Sequence, residues 1–347
     1  TRRFDIAIEE DLIEEIARIH GYDAIPATLP GSAARAAAPS ETLVDEATVR
    51  RQAAARDFLE TINYAFVDAA LLERWSAGSD AVQLTNPLSG ELGVMRTQLL
   101  PGLVAALARN AARQQSRVRI FEIGKVFAAN DANAPRETQR IAFAACGDAL
   151  DEQWSDRARI VDFHDLKGDL ESLAALSGAQ LAFRPSLCAW GHPGRSADVH
   201  RIDGAGGNAR IGWIGELHPR LQRALDLDRA VIAVEVDLAP LQDKALPQAR
   251  GVSKFPSVRR DLAFVVPEAV AWAAIAASVR KAAGPTLRDL RLFDRYAGKG
   301  VESGFKSLAI GLILQDDSRT LTDRDVDAVV ADVVATLRRD HDGEIRQ

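Results

Sequence analysis

The 347-residue chain has no apolar run near the ~20 residues that cross a bilayer, and nothing in it resembles a signal peptide. Its two cysteines, Cys146 and Cys188, lie far apart and form no ligand pair. That usage suits a reducing cytoplasm, where such cysteines behave as small buried hydrophobes. The six histidines (His20, His164, His192, His200, His218 and His341) show no metal spacing and no evident nucleophile partner. There is no internal repeat. Thr1 is not a natural start, and Arg2-Arg3 leads into no hydrophobic region, so the N-terminus reads as a cut inside a larger protein.

What is present is a globular composition, 47% hydrophobic and 27% charged, long enough for two or three domains. The net charge of −6 argues against a polyelectrolyte binder as a whole. Its distribution is polarised. Residues 254–306 carry ten Lys/Arg against five Asp/Glu, whereas 307–347 carry five against nine. Such a module can offer nucleic acid one face, although mixed surface charge without a partner gives the same count.

"ATLPGSAARAAAPS" (27–40) reads as a linker, and Pro, Gly and charge mark a second boundary near 241–258. Between them, 41–245 mixes helices and strands without βαβ alternation. "ETLVDEATVRRQAAARDFLET" and "LLPGLVAALARNAARQ" are helical by period, the latter with Pro101 tolerated in its first turn. "INYAFVD", "VRIFEIGKVFAA", "RIAFAACGD", "ADVHRID", "ARIGWIGEL" and "AVIAVEVDL" read as strands. Neighbouring strands with helices set apart imply an α+β fold built on an antiparallel sheet. Residues 252–347 read β-α-β-β-α-β, the order of a ferredoxin-like domain. In the last helix Val326, Val329, Val330, Val333, Val334 and Leu337 form one stripe, opened by a Thr322–Asp325 capping box.

Three sets of residues could carry chemistry. In "RRFDIAIEEDLIEEIARIHGYDAIP", Asp11, Glu14 and Glu15 share one side of a short helix, with Asp5 one short strand earlier. Like charges at that spacing repel by a few tenths of a kcal/mol per pair, so solvent or a cation must accommodate them. Hard oxygen ligands without His or Cys would select Mg²⁺ over zinc. The ordinary alternative pairs Glu14 with Arg18 and leaves Asp11 as a capping residue. Second, Arg96 and Arg119 could bind phosphate and Glu122 could act as a base, or all three could be structural. "GAGGNA" (204–209) is too short for a phosphate loop and reads as a hairpin. Third, Lys254, Arg259, Arg260, Arg295, Lys299, Lys306 and Arg319 are interleaved with Phe255, Phe293, Tyr296 and Phe305. An exposed strand face of that composition could stack and grip single-stranded RNA, with at least half of those aromatics expected in the core.

The acidic stretch together with "NPLSGELGVMRTQLLPGLVAALARN", "VRIFEIGKVF", "IGWIGELHP" and "FPSVRRDLAFVV", in that order, resembles the β subunit of bacterial phenylalanyl-tRNA synthetase, over essentially the whole chain. The resemblance implies residues 1–26 as the tail of a B5 domain and 41–245 as a class II synthetase-like catalytic module. Residues 252–347 would be a ferredoxin-fold anticodon-binding domain, and no editing site is expected. It also implies a Mg²⁺ site, pattern D-x5-D-x2-E-E, on Asp5, Asp11, Glu14 and Glu15. The module departs from an active site: "VRIFEIGKVF" runs into Ala128-Ala129-Asn130 where active relatives place an α-phosphate-binding arginine, and no Gly-rich strand ending in Glu-Arg follows "GELHPRLQRALDL". Without cationic clamps adenylate formation loses its electrostatic stabilisation, so the module should be catalytically silent. The implied enzyme is a cytoplasmic α2β2 ligase charging tRNA(Phe), with ATP bound on the α subunit. A stand-alone RNA-binding protein of the same fold is the alternative.

Overall fold

The computed structural model describes residues 3–28, 38–130, 134–202, 207–249 and 251–346. Most of the linker at 27–40 and half of the glycine cluster at 204–209 lie outside the described residues. The chain divides into two compact units, 1–246 and 247–347.

The first unit opens with α1 (Glu9–His20), α2 (Glu46–Ala55), β1 (Leu59–Glu60), β2 (Phe66–Val67), α3 (Ala69–Arg74), β3 (Val94–Met95) and α4 (Leu100–Ala112). It continues with β4 (Val118–Ala128), β5 (Arg136–Cys146), α5 (Phe163–Ser177), β6 (Gln180–Pro185), β7 (Gly191–Ile202), β8 (Asn208–Leu217), α6 (Pro219–Ala224), β9 (Ile232–Asp237) and α7 (Ala239–Gln242). Seven strands make one sheet in the order β1-β4-β5-β9-β8-β7-β6. Only β1 joins parallel to its neighbour; the other pairs are antiparallel.

Both faces of this sheet are covered, which is why its central strands are almost continuously apolar. In β5, Ile141, Phe143 and Ala145 pack with Val49 and Ala53 of α2 and Leu166, Leu170 and Leu173 of α5. Their neighbours Ala142, Ala144 and Cys146 face the other way, against Leu100, Leu103, Val104 and Leu107 of α4. The alanines leave the room that α4's leucines fill. Truncating a fully buried leucine such as Leu103 costs roughly 2–5 kcal/mol in comparable cores.

The expected strand "INYAFVD" shrinks to Phe66–Val67, paired with β3. Ile62 and Tyr64 are exposed, because alternation alone supplies no neighbouring strand to pair with. The helix α5, capped by Asp162 and Asp165 and closed by Gly178 at φ 76°, was not anticipated.

The second unit contains β10 (Val258–Pro267), α8 (Trp272–Ala283), β11 (Leu287–Tyr296), β12 (Phe305–Leu314), α9 (Asp323–His341) and β13 (Glu344–Ile345). This is the expected βαββαβ order, with the sheet running β11-β12-β10-β13. Phe264, Val266, Leu308, Ile310, Leu312 and Leu314 meet Ile275, Val279, Val326, Val333 and Leu337 of the two helices. The α9 stripe is the expected one: Val326, Val333 and Leu337 are buried and Val329 and Val330 pack beside them. Thr322 and Asp325 form the reciprocal cap. Neither helix covers the other face of this sheet.

Candidate functional site

That open face is built by strand alternation. On β12 the residues opposite the helix-facing leucines are Ser307, Ala309 and Gly311, a floor of small side chains. Arg259 and Asp261 of β10 flank it on one side. On the other side β11 carries a bulge between Leu292 and Asp294. Phe293 and Tyr296, three residues apart, would point to opposite faces of a regular strand. The bulge changes the parity, so Phe293 faces Arg259 while Tyr296 pairs with Ser307 on the same side. Both rings are exposed, and Phe255 and Phe305 are only partly covered, so none of the four aromatics is in the core where at least half were expected. The Tyr296 hydroxyl donates to the Lys299 carbonyl at 3.1 Å, which holds Lys299 beside the ring.

The seven basic candidates separate accordingly. Arg259 lies on the open face, its Nε donating to Asp261 at 2.8 Å. Lys254 and Lys299 are exposed. Arg260, one residue from Arg259, points to the helix side and pairs with Asp323 at 2.9 Å. Arg295 pairs with Glu268 at 2.7 Å, and Arg319 holds Asp325 in a two-bonded fork at 2.7 and 2.9 Å. Lys306 is withdrawn from solvent: it is 8% exposed, and its ammonium donates to the Glu268 and Val270 carbonyls at 2.8 and 2.7 Å. It ties the start of β12 to the segment after β10, so it is spent on structure.

The acidic helix is arranged differently from the expected ligand set. Among the described residues no three His, Cys, Asp or Glu side chains stand together in a way that could hold a metal ion. The Arg3 guanidinium bridges Asp5 and Glu15 at 2.6 and 3.0 Å, and Arg18 holds the other Glu15 oxygen at 2.8 Å. These hydrogen bonds hold Asp5 and Glu15 well below the usual carboxylate range, each at about 2. Asp11 reaches back to accept from the Ala7 and Ile8 amides at 2.7 and 3.0 Å, which lowers it too. Glu14 is exposed. The charge that a cation would neutralise is thus carried by two arginines, and the four carboxylates as placed do not fit an ion. It is Glu15, three residues before Arg18, rather than Glu14 that makes the intrahelical pair.

Within the first unit Arg96 and Glu122 are structural. They pair at 2.5 Å with both side chains buried, while Asn63 Nδ2 donates to the second Glu122 oxygen at 2.7 Å. Arg96 Nε donates to the Lys125 carbonyl at 2.9 Å, its guanidinium lying directly over Gly124, where any side chain would collide with it. Arg119 is likewise committed, at 2.6 Å to the buried Asp169 and 4.1 Å over the Phe58 ring. None of the three is presented to a substrate. Sequence reasoning passed over Glu235, buried inside the apolar run of β9. Its carboxylate accepts from the Leu99 and Leu100 amides at 3.0 Å each and from Arg140 at 2.9 Å. Burial pushes this carboxyl up, against the pull of Arg140 and the two amides. A lone acid within "IAVEV" was the available signal.

The family model described as the phenylalanyl tRNA synthetase beta chain CLM domain matches residues 25–238. The model described as the ferredoxin-fold anticodon binding domain matches residues 253–346. The chain is 66% identical over 348 residues to the phenylalanine–tRNA ligase beta subunit of Xanthomonas euvesicatoria pv. vesicatoria (strain 85-10), covering 100% of this chain and 43% of that protein. To the same subunit of Xylella fastidiosa (strain Temecula1 / ATCC 700964) it is 60% identical over 348 residues, with the same two coverages. The chain therefore spans less than half the length of these relatives. On the match of both units and on this identity, the chain belongs to the phenylalanyl-tRNA synthetase beta chain family.

Proposed function

We propose that this chain works as part of a phenylalanine–tRNA ligase, the ATP-dependent enzyme that attaches phenylalanine to tRNA(Phe), and that its second unit meets the anticodon region of that tRNA. The observation that carries the reading is the open sheet face, where Arg259, Phe293, Tyr296 and Lys299 surround a floor of Ser307, Ala309 and Gly311. Cations beside exposed rings suit a single-stranded loop: phosphates find Arg and Lys, and unstacked bases find Phe and Tyr. Lys254 is a further exposed cation, whereas Arg295, opposite the helix-facing Leu308 and paired with Glu268, acts with Arg260 and Arg319 at the structural margin.

The first unit is a scaffold for an α subunit, in an α2β2 assembly, and does not itself form the adenylate. Supporting this, Arg96, Arg119 and Glu122 are consumed by internal pairs, and the phosphate-binding arginine of active relatives has no counterpart after β4. ATP is bound by the α subunit. Magnesium at Asp5, Asp11, Glu14 and Glu15 would require Arg3 to release two of those carboxylates. The assembly works in the cytoplasm; among the described residues no helix is long and apolar enough to cross a membrane.

Adding α subunit to the complete β chain should reconstitute charging of tRNA(Phe), and this chain alone should give no ATP–pyrophosphate exchange. A complete β chain that neither binds α nor supports charging would overturn the reading. So would exchange activity from this chain by itself.

A further inference from the structure

We propose that Arg291 is a further RNA-binding residue, which forms with Arg259 a two-guanidinium clamp on a phosphate of the bound loop, over Gly311. The inference rests on the RNA-binding reading of the sheet face given above. Strand register sets the arrangement. Arg291 of β11 and Asp261 of β10 stand on either side of Gly311. Asp289 and Arg259 stand on either side of Ile313, two residues further along β12. Acid and base thus alternate around two positions of the middle strand. Each arginine is held by the aspartate two residues away on its own strand. Arg259 Nε donates to Asp261 at 2.8 Å, and Arg291 Nε donates to Asp289 at 2.7 Å. Arg259 leans from Ile313 towards Gly311, where a methyl group would stand 3.2 Å from its Nε and 3.3 Å from its Nη2.

The way the arginines are held decides what they can offer. Among the described residues both guanidiniums hydrogen-bond to protein through Nε alone, and both side chains are exposed. Their Nη groups therefore keep their protons for a ligand. A guanidinium fixed at Nε still presents that fork, and a phosphate has oxygens enough to accept from two forks at once. Gly311 puts no side chain between them, so the RNA backbone can approach closely. The four charges cancel in pairs, so this end of the face has little long-range pull and grips through directed donors. Asp261 and Asp289 are then positioning residues that orient the forks, not acids that merely repel RNA. Asp294, opposite Ala309, has no arginine of its own among the described residues, which places the clamp at the Gly311 end of the face.

The experiment titrates the chain with tRNA(Phe) across a salt series, and far-ultraviolet dichroism checks that each variant keeps its fold. Arg291→Ala should weaken binding several-fold and lower the salt slope by about one. Arg291→Lys, which keeps the charge without the fork, should keep the slope and still lose affinity several-fold. Asp289→Ala should weaken binding in the parent and change nothing once Arg291 is alanine. Asp289→Asn, which keeps an oxygen for Arg291 Nε, should bind more tightly than Asp289→Ala. The loss from Arg291→Ala should be equal on tRNA(Phe) and on the same tRNA with a substituted anticodon, because a phosphate carries no sequence. Parent-like binding by Arg291→Ala, or full recovery by Arg291→Lys, overturns the clamp. Asp289→Ala and Asp289→Asn that strengthen binding equally overturn the positioning role, and a loss confined to the native anticodon overturns the phosphate. A parent chain that binds no tRNA overturns the RNA reading of the face itself, which sets that failure apart from these.

Discussion

The guanidinium of Arg259 stands 5.4 Å from the centroid of the Phe293 ring, joining two strands that do not pair with each other across the width of β12. This relationship brings a guanidinium and an exposed ring together on the open sheet face, beside Asp261, Arg291 and Asp294 of the same face.

Arg259 and Arg260 should therefore behave differently although they are adjacent. Arg259→Ala should weaken tRNA binding by the chain and lower the steepness of its salt dependence by about one ion. Arg260→Ala, on the helix side with Asp323, should leave that slope unchanged. Binding measured across a salt series checks both, and equal effects of the two substitutions would contradict the facing described above.

Gly311 is the second handle on this surface. A methyl group there would meet Asp261 Oδ1 at 3.1 Å and Arg259 Nε at 3.2 Å, tighter than ordinary contact. Gly311→Val should push Arg259 away from Phe293 and reduce RNA affinity without unfolding the unit. Far-ultraviolet dichroism with the binding assay separates displacement from unfolding.

The buried Arg96–Glu122 pair supports a stability prediction. Glu122→Ala leaves a buried guanidinium without its carboxylate and should destabilise the first unit by about 3–5 kcal/mol. Replacing both partners by apolar residues of similar volume should recover much of the loss. Urea unfolding of the single and double variants measures it, and a single variant as stable as the parent would mean the pair is not buried in solution.

Arg3 governs the acidic helix. The Glu15 carboxyl lies at about 2, against an ordinary 4.5, through bonds from Arg18 and Arg3; Asp5 lies at about 2, against 3.8, chiefly through Arg3. Both are lowered on folding, so the links are complete above the ordinary values and vanish as pH falls towards 2. Carboxyl-carbon NMR should place both midpoints near 2, and Arg3→Gln should raise both. The same substitution frees the carboxylates for a cation, so Mn²⁺ binding followed by relaxation should strengthen. Equal Mn²⁺ affinity with and without Arg3 would remove it as the competitor.

Much of the second unit could be read in advance. The α9 stripe and the Thr322–Asp325 cap are local patterns with fixed periods, and they landed as expected. Lys306 could not be read. Its alternation places it on the helix side, but only the path of the chain after β10 brings two carbonyls to its ammonium. The bulge in β11 was equally hidden, since an extra residue leaves no mark in composition. In the first unit, "INYAFVD" alternates like a strand yet finds almost no neighbour, whereas Gly124 looks incidental until Arg96 is seen lying across it.

By itself the sequence determined most of the succession of elements, the division into an α+β region and a βαββαβ unit, and the family to which the chain belongs. These depend on short-range periodicity and on ordered motifs, which survive without coordinates. Tertiary structure alone decided which charges are free. Arg259 lies on the open face and Arg260 on the helix side with Asp323, Lys306 is buried, Arg3 takes the carboxylates a cation would need, and Glu235 is enclosed at the foot of α4. The physical reason is that a side chain's availability depends on what the folded chain brings beside it, and for Arg260, Lys306 and Glu235 those partners lie tens to more than a hundred residues away along the chain.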